Sequence, residues 1–214
     1  DCRLVVTATK QHQLRVWDVK TGKQVGESML DEGAIHAMAL HPSEPIILTG
    51  GAAGKCRLWN ARTGKPTFLF PRHERAVAAV AFSPDGRLFL TAGEDKSAKL
   101  WETATRKPMG KVFQHQGAVS AVAFSPDGTH VLTGSADHIA WLWPLRAGQP
   151  LGKPSECQAD VVALAVSPDG TIIATASTDT TARLWDSATR TPLGEPLKHG
   201  DRVNALAFSP DGRF

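Results

Sequence analysis

Short apolar runs separated by tight turns set the rhythm of this chain, and no helical stripe interrupts them. The run "AVAAVAFS" (76–83) is apolar at nearly every position, and "SPDG" closes it. In that turn Pro84 presets φ, Asp85 offers a local acceptor, and Gly86 takes a conformation that other residues resist. "RLFLTAG" (87–93) then reads as a second strand, "EDKS" as a turn and "AKLWE" (98–102) as a third strand. "TATRK" leads into a fourth, more polar strand near 107–113. The first three strands are apolar on both faces, so both faces must be covered.

This unit repeats. Trp17, Trp59, Trp101, Trp143 and Trp185 stand 42 residues apart, and Thr7, Thr49, Thr91, Thr133 and Thr175 keep the same phase. "SPDG" recurs at 83–86, 125–128, 167–170 and 209–212, with "HPSE" (41–44) in the slot before them. A period held without an insertion means one four-stranded module copied in tandem. Radial stacking of such sheets is a β-propeller, so the expected fold class is all-β with antiparallel blades. The phase predicts three strands of a first blade at 1–30 and complete blades at about 31–72, 73–114, 115–156 and 157–198. A last inner strand, 202–208, falls within 199–214 and is expected to complete the first blade in a closed ring.

The pattern H-x3-V-x2-V-A-F-S-P-D-G, T-x3-D, L-W-[D/E] resembles the WD-repeat (WD40) family, in its bacterial-type tandem arrays, over the whole chain. "WD" stands at 17–18 and 185–186, but becomes "WN" at 59–60, "WE" at 101–102 and "WP" at 143–144. The family's "GH" loses its Gly, giving "RH" (72–73), "QH" (114–115) and "KH" (198–199). The resemblance implies a hydrogen-bonded set of His, Ser/Thr, Asp and Trp in each blade. His73, Thr91, Asp95 and Trp101 make one such set, and His115, Thr133, Asp137 and Trp143 a second. Thr175, Asp179 and Trp185 keep three members, with Cys157 in the His position. The module of Asp31, Thr49, Ala53 and Trp59 keeps only two of the usual types and is expected to be the blade poorest in hydrogen bonds. Repetition in blade after blade and burial argue against a hydrolytic triad.

The resemblance also implies seven or eight blades most often, more than these repeats supply. Were each open end to expose about 500 Å² of apolar area, the cost would be on the order of 10 kcal/mol as an upper bound. The expectation is therefore a window cut from a longer array, with pairing of two copies or a strained five-bladed ring as alternatives.

Composition narrows function by exclusion. A net charge of +3 is too small to imply a nucleic-acid or membrane partner. No apolar run approaches the roughly 18 residues that cross a bilayer as a helix. Cys2, Cys56 and Cys157 form no CxxC pair and suggest free thiols in a reducing, cytoplasmic setting. The inner strands carry no cluster of carboxylates or histidines for catalysis or metal binding, so neither cofactor nor metal is expected. With no Tyr and five in-phase Trp in the core, sugar binding has only Trp141 to offer.

Contact surfaces then lie at the rims. One rim carries residues that differ between repeats, with Lys10, His36, Glu74, Arg75, Glu94, Asp160, Arg202 and Asn204 as candidates for partner binding. The other carries Lys20, Lys23, Arg62, Lys65, Arg106, Lys107, Arg146 and Arg190 in turns without an acidic residue. The expected function is a non-catalytic scaffold with protein or peptide partners, self-association through end blades being a further route. The alternative is an enzymatic or ligand-binding propeller using its central channel.

Overall fold

A computed structural model describes residues 4–52, 54–69, 73–145, 150–152 and 154–214. Five antiparallel sheets follow one another, each with its strands in chain order. The first holds β1 (Leu4–Ala8), β2 (Gln13–Asp18) and β3 (Gln24–Leu30). The second holds β4 (Ile35–Leu40), β5 (Ile46–Gly51), β6 (Cys56–Asn60) and β7 (Pro66–Leu69). The third holds β8 (Val77–Phe82), β9 (Leu88–Gly93), β10 (Ser97–Glu102) and β11 (Pro108–Gln114). The fourth holds β12 (Val119–Phe124), β13 (His130–Ser135), β14 (Ile139–Pro144) and β15 (Ser155–Glu156). The fifth holds β16 (Val161–Val166), β17 (Ile172–Ser177), β18 (Thr181–Asp186) and β19 (Leu197–Lys198). No helix occurs among the described residues.

The strands β4, β8, β12 and β16 touch one another in turn, so they form the inner wall of stacked propeller blades. Between blades lies the core. Leu48, Leu58, Val77, Phe89 and Trp101 pack the second blade on the third, and Leu90, Leu100, Phe113, Val131 and Trp143 pack the third on the fourth. Each buried Leu or Phe contributes about 1.5–3 kcal/mol relative to exposure, which is why no blade is stable as a bare sheet. Inner strands β4, β8, β12 and β16 each carry a bulge after their first residue, at 36, 78, 120 and 162. At the third such bulge the Ser120 hydroxyl reaches the Val161 carbonyl of the next blade.

The turns are built locally. Ser83 Oγ donates to Asp85 Oδ1 (2.6 Å) and accepts from Leu88 N (2.9 Å), while Arg87 N donates to Asp85 (3.0 Å). Gly86 sits at φ +72°, and a Cβ there would also lie 2.2 Å from His41 Nε2. That imidazole, in place of the usual Ser, instead donates to the Gly86 carbonyl at 3.1 Å and takes backbone donors from Ser43 and Glu44 on Nδ1.

Two expectations are corrected. Residues 202–208 form no strand: neither β1 nor any other strand takes their backbone groups into a ladder. The turn that follows them still forms, with Ser209 Oγ on Asp211 (2.7 Å), because it needs only its own residues. Trp141, the one ring offered for sugar binding, is half buried and packs against Trp143 at 6.0 Å.

Turns between second and third strands place one residue in the left-handed region: His12, Gly54, Lys96, His138 and Thr180, at φ 64–70°. Thr180 is the only β-branched member and is the most strained there. Replacing Thr180 with Asn, which tolerates this conformation, is expected to raise stability by up to about 1 kcal/mol. Denaturant melts of the two proteins would measure this, an unchanged or lower midpoint contradicting it.

Candidate functional site

In the third blade the set around Thr91 forms a single directed chain. Trp101 Nε1 donates to Thr91 Oγ1 (2.9 Å), and Thr91 Oγ1 lies 2.8 Å from His73 Nε2. His73 Nδ1 meets both Asp95 oxygens at 2.9 Å. One proton arrangement satisfies every member: Trp gives to Thr, Thr gives to Nε2, and Nδ1–H gives to the carboxylate. The fourth blade repeats it, with Trp143 to Thr133 at 2.8 Å, Thr133 to His115 at 2.7 Å and His115 to Asp137 at 3.0 Å. The chain requires neutral imidazole. Burial pushes both histidines below their ordinary value, against the opposing pull of Asp95 and Asp137. Burial alone would raise the Asp95 carboxyl, but hydrogen bonds from His73 and Ser97 bring it down to about 2. Thr91 and Thr133 are buried against Trp rings, so no substrate reaches these hydroxyls.

The second blade departs from its expected poverty. Asp31 occupies the His position and takes the Thr49 proton directly at 3.1 Å, while Trp59 Nε1 gives to Thr49 at 3.0 Å. Arg57 answers this partly buried carboxylate at 3.2 Å, reaches Glu32 at 3.1 Å and lies over the Trp59 ring at 5.2 Å. Lys55 adds a contact to Glu32 at 2.9 Å. The weak link is instead in the fifth blade. Trp185 still donates to Thr175 (2.9 Å), but Cys157 Sγ stands 3.5 Å from that hydroxyl, and Asp179 Oδ2 is buried without a partner. Asp179 spends its other oxygen on Thr181. Arg57 escaped the sequence reading, although a basic residue two places before the Trp, at Arg15, Arg57, Lys99 and Arg183, was there to be seen. Cys56 and Cys157 are free and buried, burial lifting the Cys56 thiol to about 12.

Outside these chains lie the two rims. On the first, Lys10, His36, Glu74, Arg75, Glu94, Arg202 and Asn204 are exposed, and Asp160 pairs with His138 at 3.4 Å. On the second, Lys20, Lys23, Arg62, Lys65 and Lys107 are exposed, while Arg106 and Arg190 are half buried. Arg190 donates to the Ser187 and Leu151 carbonyls at 2.7 and 3.0 Å. Arg146 lies outside the described residues, as do Cys2 and Ala53. The residue after Trp17, Trp59 and Trp185 caps the turn below it: Asp18 accepts from Thr21 N (2.7 Å), Asn60 from Thr63 N (3.0 Å) and Asp186 from Thr189 N (2.7 Å).

The family profile described as WD domain, G-beta repeat (WD40) matches residues 26–60, 64–102, 106–144 and 148–186, well over half of the chain. The chain belongs to the WD40 repeat family. No curated protein sequence matches it. WD40 repeats typically mediate protein–protein interaction and are generally non-enzymatic scaffolds. Their blades here differ most in how each Trp–Thr pair is completed, by His–Asp, by Asp–Arg or by Cys.

Because folding holds His73 and His115 in the neutral form, the unfolded chain binds more protons once the pH drops below about 6.5, and stability must fall with it. The depressed Asp95 adds a second loss below about 4. Thermal melts from pH 7 to 5 should show the first decline, and His73→Gln with His115→Gln should flatten it. Cys157→His should restore the missing link to Asp179 and gain about 1 kcal/mol. Hydrogen exchange at the Trp185 indole would slow accordingly, and unchanged exchange would refute the assignment.

Proposed function

We propose that this WD40 chain is a non-catalytic scaffold that binds a protein segment across the rim carrying the loops before the inner strands. The supporting observation is the distribution of spent and unspent charge. In the second blade Glu32, Lys55 and Arg57 are consumed by one another and by Asp31. Lys10, Glu74, Arg75 and Glu94, by contrast, are exposed, and no ion pair of the described residues uses them. Glu74 donates its backbone N–H to Asp95 (3.2 Å), so the buried chain that locks the blade also fixes the loop presenting this side chain. A rigid frame with variable, unpaired charge at its loops is suited to recognition without chemistry.

The basic rim is the less favoured surface, since Arg190 already directs its guanidinium at backbone carbonyls. Charge reversal at Glu74, Arg75 and Glu94 together should weaken a captured partner by at least about tenfold while leaving the melting temperature unchanged. Reversal of Lys23, Lys65 and Lys107 to Glu should leave that affinity intact. Loss of binding in the second variant alone would move the function to the basic rim.

A further inference from the structure

Neighbouring blades meet on the turn rim through four equivalent side chains, and one junction lacks its filling. Between the third and fourth blades Phe113 is buried in the cluster that Leu88, Phe124 and Leu145 pack against. Forty-two residues on, the same four positions hold His130, Ser155, Val166 and Ser187. Between the second and third blades Ile46 and Phe82 fill two of these positions. Between the fourth and fifth blades three of the four are polar and the fourth is Val.

A cleft of about 500 Å³ opens there, with His130, Val166 and Ser187 in its walls. Ser155 is buried where the Phe113 ring would stand. The backbone contributes too. Pro144 replaces the acidic or amide cap after Trp143, and among the described residues the outer strand β15 covers Ser155–Glu156, against seven residues in β11. Leu132, Leu142, Leu151 and Ile173 therefore line the cleft as an apolar floor.

The mouth is polar and charged. Asp127 and Asp169 are both exposed and both line it. Their turns keep them ionised: Ser125 and Thr129 donate to Asp127, Ser167 and Thr171 to Asp169. Arg190 also lines the cleft, but its guanidinium is committed to the Ser187 and Leu151 carbonyls, tying the fifth blade's turn to Leu151 of the fourth. An apolar floor with two carboxylates at its entrance complements a side chain of the opposite design.

We propose that the cleft between the fourth and fifth blades docks a peptide segment presenting a Phe or Leu side chain beside a Lys or Arg. The apolar side chain enters between Leu142 and Ile173, and the cation meets Asp127 and Asp169. The volume exceeds one aromatic side chain and falls within the range of sites that take a whole ligand group. This inference rests on the scaffold reading and gives it a second, chemically defined contact.

The probe is fluorescein-labelled Ala-Phe-Lys-Ala amide, followed by anisotropy, with hydrogen exchange to locate it. Saturable binding is expected, with protection of residues 166–173 and 187–190. Lys→Glu or Phe→Ala in the peptide should weaken it by about tenfold. Asp127→Asn with Asp169→Asn should do the same and remove its salt dependence. Val166→Phe, which restores the neighbouring blade's residue, should abolish binding and raise the melting temperature; Ser187→Leu is the parallel variant should the larger ring misfold the blade. Absence of saturable binding, or full affinity in Val166→Phe and Ser187→Leu, would overturn the proposal. If the peptide fails while the Glu74, Arg75 and Glu94 variant still loses its partner, only the cleft is lost. If the peptide binds and that rim variant keeps its partner, the cleft stands and the rim reading falls.

Discussion

Everything in this molecule follows from sheets that are apolar on both faces. A half-buried sheet alternates and can face water; these do not, so each blade needs a neighbour on either side. Trp59, Phe89, Leu90 and Leu132 are almost completely removed from solvent only because the adjoining sheet covers them. The inner strands touch in sequence for the same reason. A repeat of this kind cannot be read one module at a time.

The buried Trp–Thr pair is the second constraint, and it is less restrictive than it looks. What the fold demands is an acceptor for the Thr hydroxyl, not a histidine. His73 meets that demand as a neutral ring backed by Asp95, and Asp31 meets it as a carboxylate backed by Arg57. Both solutions balance protons and charge; a lone carboxylate at that depth would not. Cys157 meets it poorly, and the orphaned Asp179 oxygen records the failure.

Much of this was legible beforehand, and the reasons for the remainder are specific. The period, the four-strand modules and the "SPDG" turns depend on local residue choice, so they could be read directly. Residues 209–214 show the point: the turn forms with Ser209 and Asp211 even though 202–208 before it join no sheet among the described residues. A strand needs a partner, and partnership is not written in the strand. The blade of Asp31 was misjudged for a similar reason. Counting residue types showed a missing His and Asp, but Arg57 comes from a different strand and supplies its compensation through space.

The same logic locates where a specific contact can be written at least cost to the frame. Replacing a rim loop residue changes nothing that holds the blades together, and the exposed Glu74, Arg75 and Glu94 occupy such places. Replacing a filler between blades does cost packing, since each lost large side chain forfeits contacts the neighbours cannot remake. Three of the four changed positions at one junction, His130, Val166 and Ser187, line one connected opening. The fifth blade also carries the chain that Cys157 fails to extend from Thr175 to Asp179, so its attachment is weaker on both counts. A junction that gives up apolar filling between the turn carboxylates Asp127 and Asp169 has exchanged stability for a surface of defined shape and charge. The third–fourth junction is instead filled by Leu88, Phe113, Phe124 and Leu145, and that filling is what separates it from the contact between the fourth and fifth blades.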